Sequence, residues 1–191
     1  MPALTNFFFE ERVDRLFHLA GSLDEAFSKA GLDYCVVGGL AVYLYVEDAQ
    51  PEAGRLTRDI DVAIRREDLE KIVAAVRPFG LVHRRTGGVE MLVDEQAPSA
   101  HRAIHLVFAG EKVRPEYSHV VPQLGPVHKV KGIRLIPLPD LISMKLTSFR
   151  AKDETHINDL DEAGLITREI EAALTPVLLD RLSRARARRS L

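Results

Sequence analysis

A short apolar run, two glycines and a second apolar run fix the centre of this chain: DYCVV, then Gly38 and Gly39, then LAVYLY. Asp33 to Val37 is brief and β-branched, which predicts a buried strand. LAVYLY predicts the start of a helix. Between them, paired glycines let backbone N–H groups approach an anion, with the positive end of a helix dipole behind them. A simple tight turn is the alternative. After a loop marked by Pro51 and Gly54 comes DIDVAI, Asp59 to Ile64, the next predicted strand.

On a strand, Asp59 and Asp61 share a face, about 7 Å apart at the backbone, and Ile60 and Val62 take the other. Two like charges so placed repel unless a cation lies between them. Magnesium prefers carboxylate oxygens and leaves room for substrate phosphates. A pair of acids with a divalent cation is a working core for phosphoryl transfer. Solvated acids at a strand entrance are the alternative.

The remaining pattern frames these elements. Leu16, Leu19, Leu23, Phe27 and Ala30 recur at helical spacing, predicting a helix over about 11–30 that Gly31 ends. VEDAQPEAGRLT reads as a loop. Arg66 to Val76 reads as a helix with Leu69, Ile72, Val73 and Val76 on one stripe. Leu81 to Val93 reads as a hairpin turning at Thr86-Gly87-Gly88, and AIHLVF and GIRLI as strands. From Pro139 on, the pattern is helical. The expected architecture is α/β: a mixed β-sheet core flanked by helices over 1–137, then a C-terminal helical subdomain over 138–191.

Composition narrows the class. The 191 residues are 46% hydrophobic and 28% charged with a net charge of −2, so the surface as a whole does not advertise nucleic-acid binding. Cys35, the single cysteine, cannot form an internal disulfide and is expected as a buried thiol. The start MPALTNFFFEER lacks the basic region of a signal peptide, and no apolar run is long enough to span a bilayer. A soluble cytoplasmic protein is expected, with no membrane partner.

VVGGLAVYLY…RLTRDIDVAI resembles the DNA polymerase beta-like nucleotidyltransferase superfamily, in which a glycine pair opens a helix and an acid-hydrophobic-acid strand follows. The resemblance implies that Gly38 and Gly39 position nucleotide phosphates. It implies that Asp59 and Asp61 hold Mg²⁺ or Mn²⁺, with Thr57 and Arg58 as the polar lead-in that helps bind nucleotide. LIPLPDLISMKLTSFRAKDETHINDL looks like the downstream motifs of AbiEii-type toxin nucleotidyltransferases. That likeness matches Lys145 to a helix lysine on the triphosphate and Asp159 to a late catalytic acid. It implies a nucleoside triphosphate as donor, a tRNA end or a protein as acceptor, and a cognate antitoxin as partner. A small-molecule acceptor, as in aminoglycoside nucleotidyltransferases, stays open.

Lys145 also stands out on physical grounds. Its helical neighbours include Leu141, Ile142 and Phe149, so it either snorkels to water or reaches into a polar cleft. His105 is a departure from the superfamily pattern, because the position aligned with a third acid holds a histidine. It is then a general base or a structural histidine, with Glu90 and Asp94 as lesser substitutes for the acid. His156 stands where AbiEii-type members have an acid, and Lys152, His156 and Asp159 share one helix face. The run RLSRARARR, with Arg150 and Lys152, either contacts RNA phosphates or packs on the domain.

Two functions from different classes follow. One is a metal-dependent nucleotidyltransferase acting on a hydroxyl acceptor. The other is a catalytically degenerate module of the same fold that binds nucleotide, RNA or a partner protein.

Overall fold

The computed structural model describes residues 2–55, 57, 59–96, 98 and 103–189. Helix α1 (Pro2–Lys29) leads into strand β1 (Tyr34–Val37), helix α2 (Gly38–Ala49) and strand β2 (Ile60–Ile64). Helix α3 (Leu69–Val76) precedes a hairpin of β3 (Leu81–Thr86) and β4 (Val89–Asp94), then β5 (Ile104–Phe108). A short hairpin of β6 (His128–Val130) and β7 (Ile133–Leu135) closes the sheet. Helices α4 (Leu138–Ser148), α5 (Ala151–Glu162), α6 (Arg168–Ala173) and α7 (Pro176–Arg189) complete the chain.

The seven strands form one sheet in the order β3-β4-β5-β2-β1-β7-β6. Pairs β2/β5 and β1/β7 are parallel and the rest antiparallel, so the sheet is mixed. The α/β architecture expected from the sequence is the one observed.

Alternation along the strands sorts the two faces. Tyr34, Val36, Val62 and Ile64 point to the face covered by α1, where Phe27 meets Tyr34 edge-on at 4.9 Å. Cys35, Val37 and Asp61 point to the other face, toward α2 and α4. Burial pushes the Cys35 thiol up to about 12, so it is the inert buried thiol expected. One continuous core runs from Leu16, Leu23 and Phe27 of α1 through the central strands to Leu141 and Leu146 of α4 and Leu178 and Leu182 of α7.

Local chemistry explains the turns. Gly87 and Gly88 both take positive φ, +58° and +80°, as a two-residue hairpin loop requires. Several elements differ from the sequence reading: helix α1 begins at Pro2 rather than near residue 11, and β2 begins at Ile60, so Asp59 lies just before the strand. Helix α2 runs on to Ala49, through VEDA, because Glu47 bonds the backbone N–H groups of Glu52 and Gly54 and anchors the loop from the helix end. Strand β6 carries HKV, with only Val130 buried, too short to show a period.

Candidate active site at the glycine turn

The antiparallel register of β1 on β2 sets Val37 opposite Asp61. The chain leaves β1 at Gly38, whose φ of +70° only glycine adopts without strain. A side-chain carbon at Gly38 would come within 2.7 Å of the Asp61 carboxylate carbon, so the missing side chain is what lets Asp61 sit against the turn. At Gly39 the same carbon would lie 2.7 Å from Thr57 Oγ1 and 3.5 Å from His156 Cε1. Helix α2 starts with no side-chain cap, which leaves its first N–H groups free for an anion.

The parallel register of β2 on β5 sets Asp61 beside His105, with Nδ1 3.3 Å from Asp61 Oδ1. This hydrogen bond holds the imidazolium of His105 to a higher pH than usual; burial opposes it, and the charges of Asp61 and Asp59 add to it. Thus the position read as a third-acid substitute neighbours Asp61. Glu90 lines the same cleft as Asp61 and His105, but its carboxylate is held by other side chains. Glu90 is bonded by His83 at 2.7 Å and paired with Arg85, and Asp94 accepts the backbone N–H of Gln96. The backbone N–H of Asp59 lies 3.5 Å from the buried Thr57 Oγ1. Arg58 lies outside the described residues. Among the described residues, no arginine or lysine pairs with Asp59 or Asp61.

The donor set defines the kind of cation that fits. Among the described residues, no group of three or more His, Cys, Asp or Glu side chains is arranged as a metal cage. Magnesium bound with a nucleotide needs only one or two carboxylates, since phosphates and water supply the rest. Asp61, whose ionic partner is His105 rather than an arginine or lysine, sits against the uncapped helix start and matches that need.

Helices α4 and α5 supply the opposite wall. Lys145 is buried, and its ammonium reaches Asp153 Oδ1 at 3.2 Å rather than snorkelling to water. Burial pushes it below the ordinary lysine value, with Asp153 and Asp61 opposing. Asp153 has no exposed surface, and burial alone would raise it. Hydrogen bonds from Arg150 Nε at 2.8 Å and Ser148 Oγ at 2.6 Å, with the Lys145 charge, instead hold it at about 2. Gly38, Asp61, His105, Lys145, Arg150 and Asp153 all line one cleft of about 680 Å³, flanked by Gly87-Gly88 and the segment 111–121.

Asp159 is not among the cleft-lining residues. It is buried and paired with Arg55 at 2.9 Å, with Oδ2 lacking a hydrogen-bond partner. Of its expected face-mates, Lys152 is exposed and His156 is buried beside Gly39. Burial, then the charges of Lys145 and Lys152, push His156 down to about 3, so it is neutral.

The arginine tail packs on the protein. Arg186 bonds Asp161 and Glu171, Arg188 bonds Glu154, and Arg189 bonds Asp161. The alternative of folded-back arginines is the one observed.

Solved structures share this fold. A nucleotidyltransferase-like protein from Paracoccidioides brasiliensis superposes with a TM-score of 0.59 at 14% identity, over 93% of this chain and 89% of that one. The antibiotic-resistance factor ANT(2'')-Ia, in complex with adenylyl-2''-tobramycin, gives 0.52 at 14% identity, over 90% and 97%. The Megavirus polyadenylate synthase gives 0.54 at 11% identity, over 86% of this chain and 36% of that larger one. No protein-family model matches the sequence, and no curated protein matches it. The chain therefore has the nucleotidyltransferase fold. Among the described residues, no helix is long and apolar enough to cross a membrane.

Proposed function

We propose that this chain is a metal-dependent nucleotidyltransferase that moves a nucleotidyl group from a nucleoside triphosphate to a hydroxyl acceptor. The observation that carries this reading is the Asp61 carboxylate seated on Gly38, in one cleft with Lys145. Asp59 and Asp61 would hold Mg²⁺ or Mn²⁺, which when bound neutralises charge on the reacting phosphates. The backbone N–H groups at Gly38 and Gly39 receive phosphate oxygens, aided by Thr57 and Arg58 in the lead-in. Lys145 sets its ammonium against the triphosphate tail. His105, once neutral, accepts the proton of the acceptor hydroxyl. That oxygen bonds to the α-phosphorus, the α–β anhydride bond breaks, and pyrophosphate leaves. Asp159, matched by resemblance to a late catalytic acid, acts here through Arg55.

The acceptor class rests on resemblance. The AbiEii-type likeness points to a tRNA end or a protein, acting in the cytoplasm under restraint by a cognate antitoxin. The fold shared with ANT(2'')-Ia points to an aminoglycoside. Labelled nucleoside triphosphates with Mg²⁺ or Mn²⁺, offered total tRNA, mixed protein and tobramycin in turn, decide among these. Transfer that disappears in both Asp59→Ala and Asp61→Ala supports the enzyme.

One observation favours a second reading, a nucleotide-binding module without turnover. A histidine stands beside Asp61 where the superfamily pattern has a third acid. Tight nucleotide binding with no transfer under either metal selects that reading.

A further inference from the structure

The junction of α4 and α5 carries Lys145, Ser148, Arg150 and Asp153 into the cleft, yet its backbone is unusual. Phe149 links the two helices in the left-handed region at φ +44°, where bulky residues are uncommon. The last carbonyls of a helix have no partner within it. Two of them, on Leu146 and Thr147, accept hydrogen bonds from Arg181 Nη1 of α7 at 2.7 and 2.6 Å. The guanidinium of Arg181 also lies 5.6 Å from the Phe149 ring centre, and that of Arg184 lies at 5.3 Å. A cation at a helix C-terminus and over an aromatic face is favourable on both counts. Leu178, Leu182 and Ala185 bury the inner face of α7 and fix the height from which Arg181 reaches.

We propose that Arg181 is a positioning residue, which uses the C-terminal helix to hold the α4–α5 junction so that Lys145 and Asp153 face the cleft. The inference rests on the proposed function for what Lys145 binds, but not for the contact itself. It also gives the arginine-rich segment a role inside the molecule. Arg186, Arg188 and Arg189 fasten α7 to acids of α5 and α6, and Arg181 applies that anchorage to the cleft wall.

The test compares Arg181→Ala with Arg181→Lys and with Arg188→Ala, which removes the α7 ion pair to Glu154 in the first turn of α5 and leaves the Arg181 bonds to Leu146 and Thr147 in place. In lysine-labelled protein, the Lys145 side-chain resonance reports its surroundings without any nucleotide. It is assigned by its loss in Lys145→Arg. The groups facing Lys145 are Asp153, Asp61, Arg150 and His156. Arg181→Ala is expected to move the Lys145 resonance and its titration toward those of an exposed lysine. Arg188→Ala leaves them in place. Arg181→Lys restores them in large part, since a single nitrogen makes both bonds in the native residue. With nucleotide, KM for the triphosphate rises about tenfold in Arg181→Ala with kcat nearly kept, whereas partial unfolding lowers kcat alone. An unmoved Lys145 resonance in Arg181→Ala, or an equal move in Arg188→Ala, overturns the proposal. If the native protein binds no triphosphate, the proposed function fails, and the Lys145 resonance still decides the role of Arg181.

Discussion

His105 and Asp61 sit side by side on parallel strands, with Nδ1 of the ring 3.3 Å from Oδ1 of the carboxylate. The register that produces this pair sets one position on β5 directly beside Asp61, and a histidine fills it.

Replacing that histidine with an acid would set a second carboxylate beside Asp61. His105→Asp is expected to tighten Mn²⁺ binding by about tenfold, because affinity follows ligand charge. Titration of the metal against the two proteins, with calorimetric detection, checks this. An unchanged or weaker affinity places β5 out of reach of the cation.

The same pair sets a pH dependence. The hydrogen bond to Asp61, then the nearby charges, raise the folded His105 above its ordinary value against the pull of burial. Its contribution to stability is thus complete below the unfolded histidine value of about 6.5 and fades as pH rises through the folded value. The imidazolium also competes with a cation for Asp61. Mn²⁺ affinity is therefore expected to climb across that upper range in the native protein and to climb less in His105→Gln. Binding isotherms at a series of pH values separate the two proteins.

Gly38→Ala strikes the turn twice. The left-handed backbone at φ +70° costs an alanine about 1–2 kcal/mol, and the new side chain collides with Asp61. The variant is expected to melt lower and to lose nucleotide binding even where it stays folded. Thermal melts and equilibrium dialysis with a nucleotide check each half. Binding kept at the native level contradicts the turn's role.

Asp153→Asn leaves a buried ammonium without its counter-charge, a change that costs about 3–5 kcal/mol. Because Asp153 is held at about 2, its stabilisation is whole above the unfolded aspartate range and vanishes as pH falls toward that value. Urea melts at neutral pH are expected to show the deficit, and at pH near 2 the two proteins converge.

Much of this was legible in the sequence wherever a local pattern decides the structure. Gly38-Gly39 and Asp59-Ile60-Asp61 could be placed because a turn and a two-residue period need only neighbours along the chain. His105 could be aligned because AIHLVF reads as a strand with one polar inward position. Asp153 was legible only as a charge in AKDE, since its burial depends on Lys145, eight residues away, and on the turn at Phe149. The pairing of Asp159 with Arg55 and the inward fold of the arginine segment are likewise tertiary. The sequence alone leaves the arginine run open between RNA contact and packing on the domain, and it names no partner for Asp159. Strand β6 escaped for another reason: three residues at a sheet edge, only one of them apolar, carry no periodic signal.

The central claim is that Asp61 and the Gly38 turn together receive a cation and a triphosphate. Calorimetric titration with a non-hydrolysable nucleoside triphosphate, with and without Mg²⁺, tests it most directly in the native protein and in Asp61→Asn. Binding that requires Mg²⁺ and falls by about a hundredfold in Asp61→Asn, the worth of a lost charged contact at 1.4 kcal/mol per tenfold, is the predicted result. Equal binding by the two proteins, or binding indifferent to Mg²⁺, contradicts it.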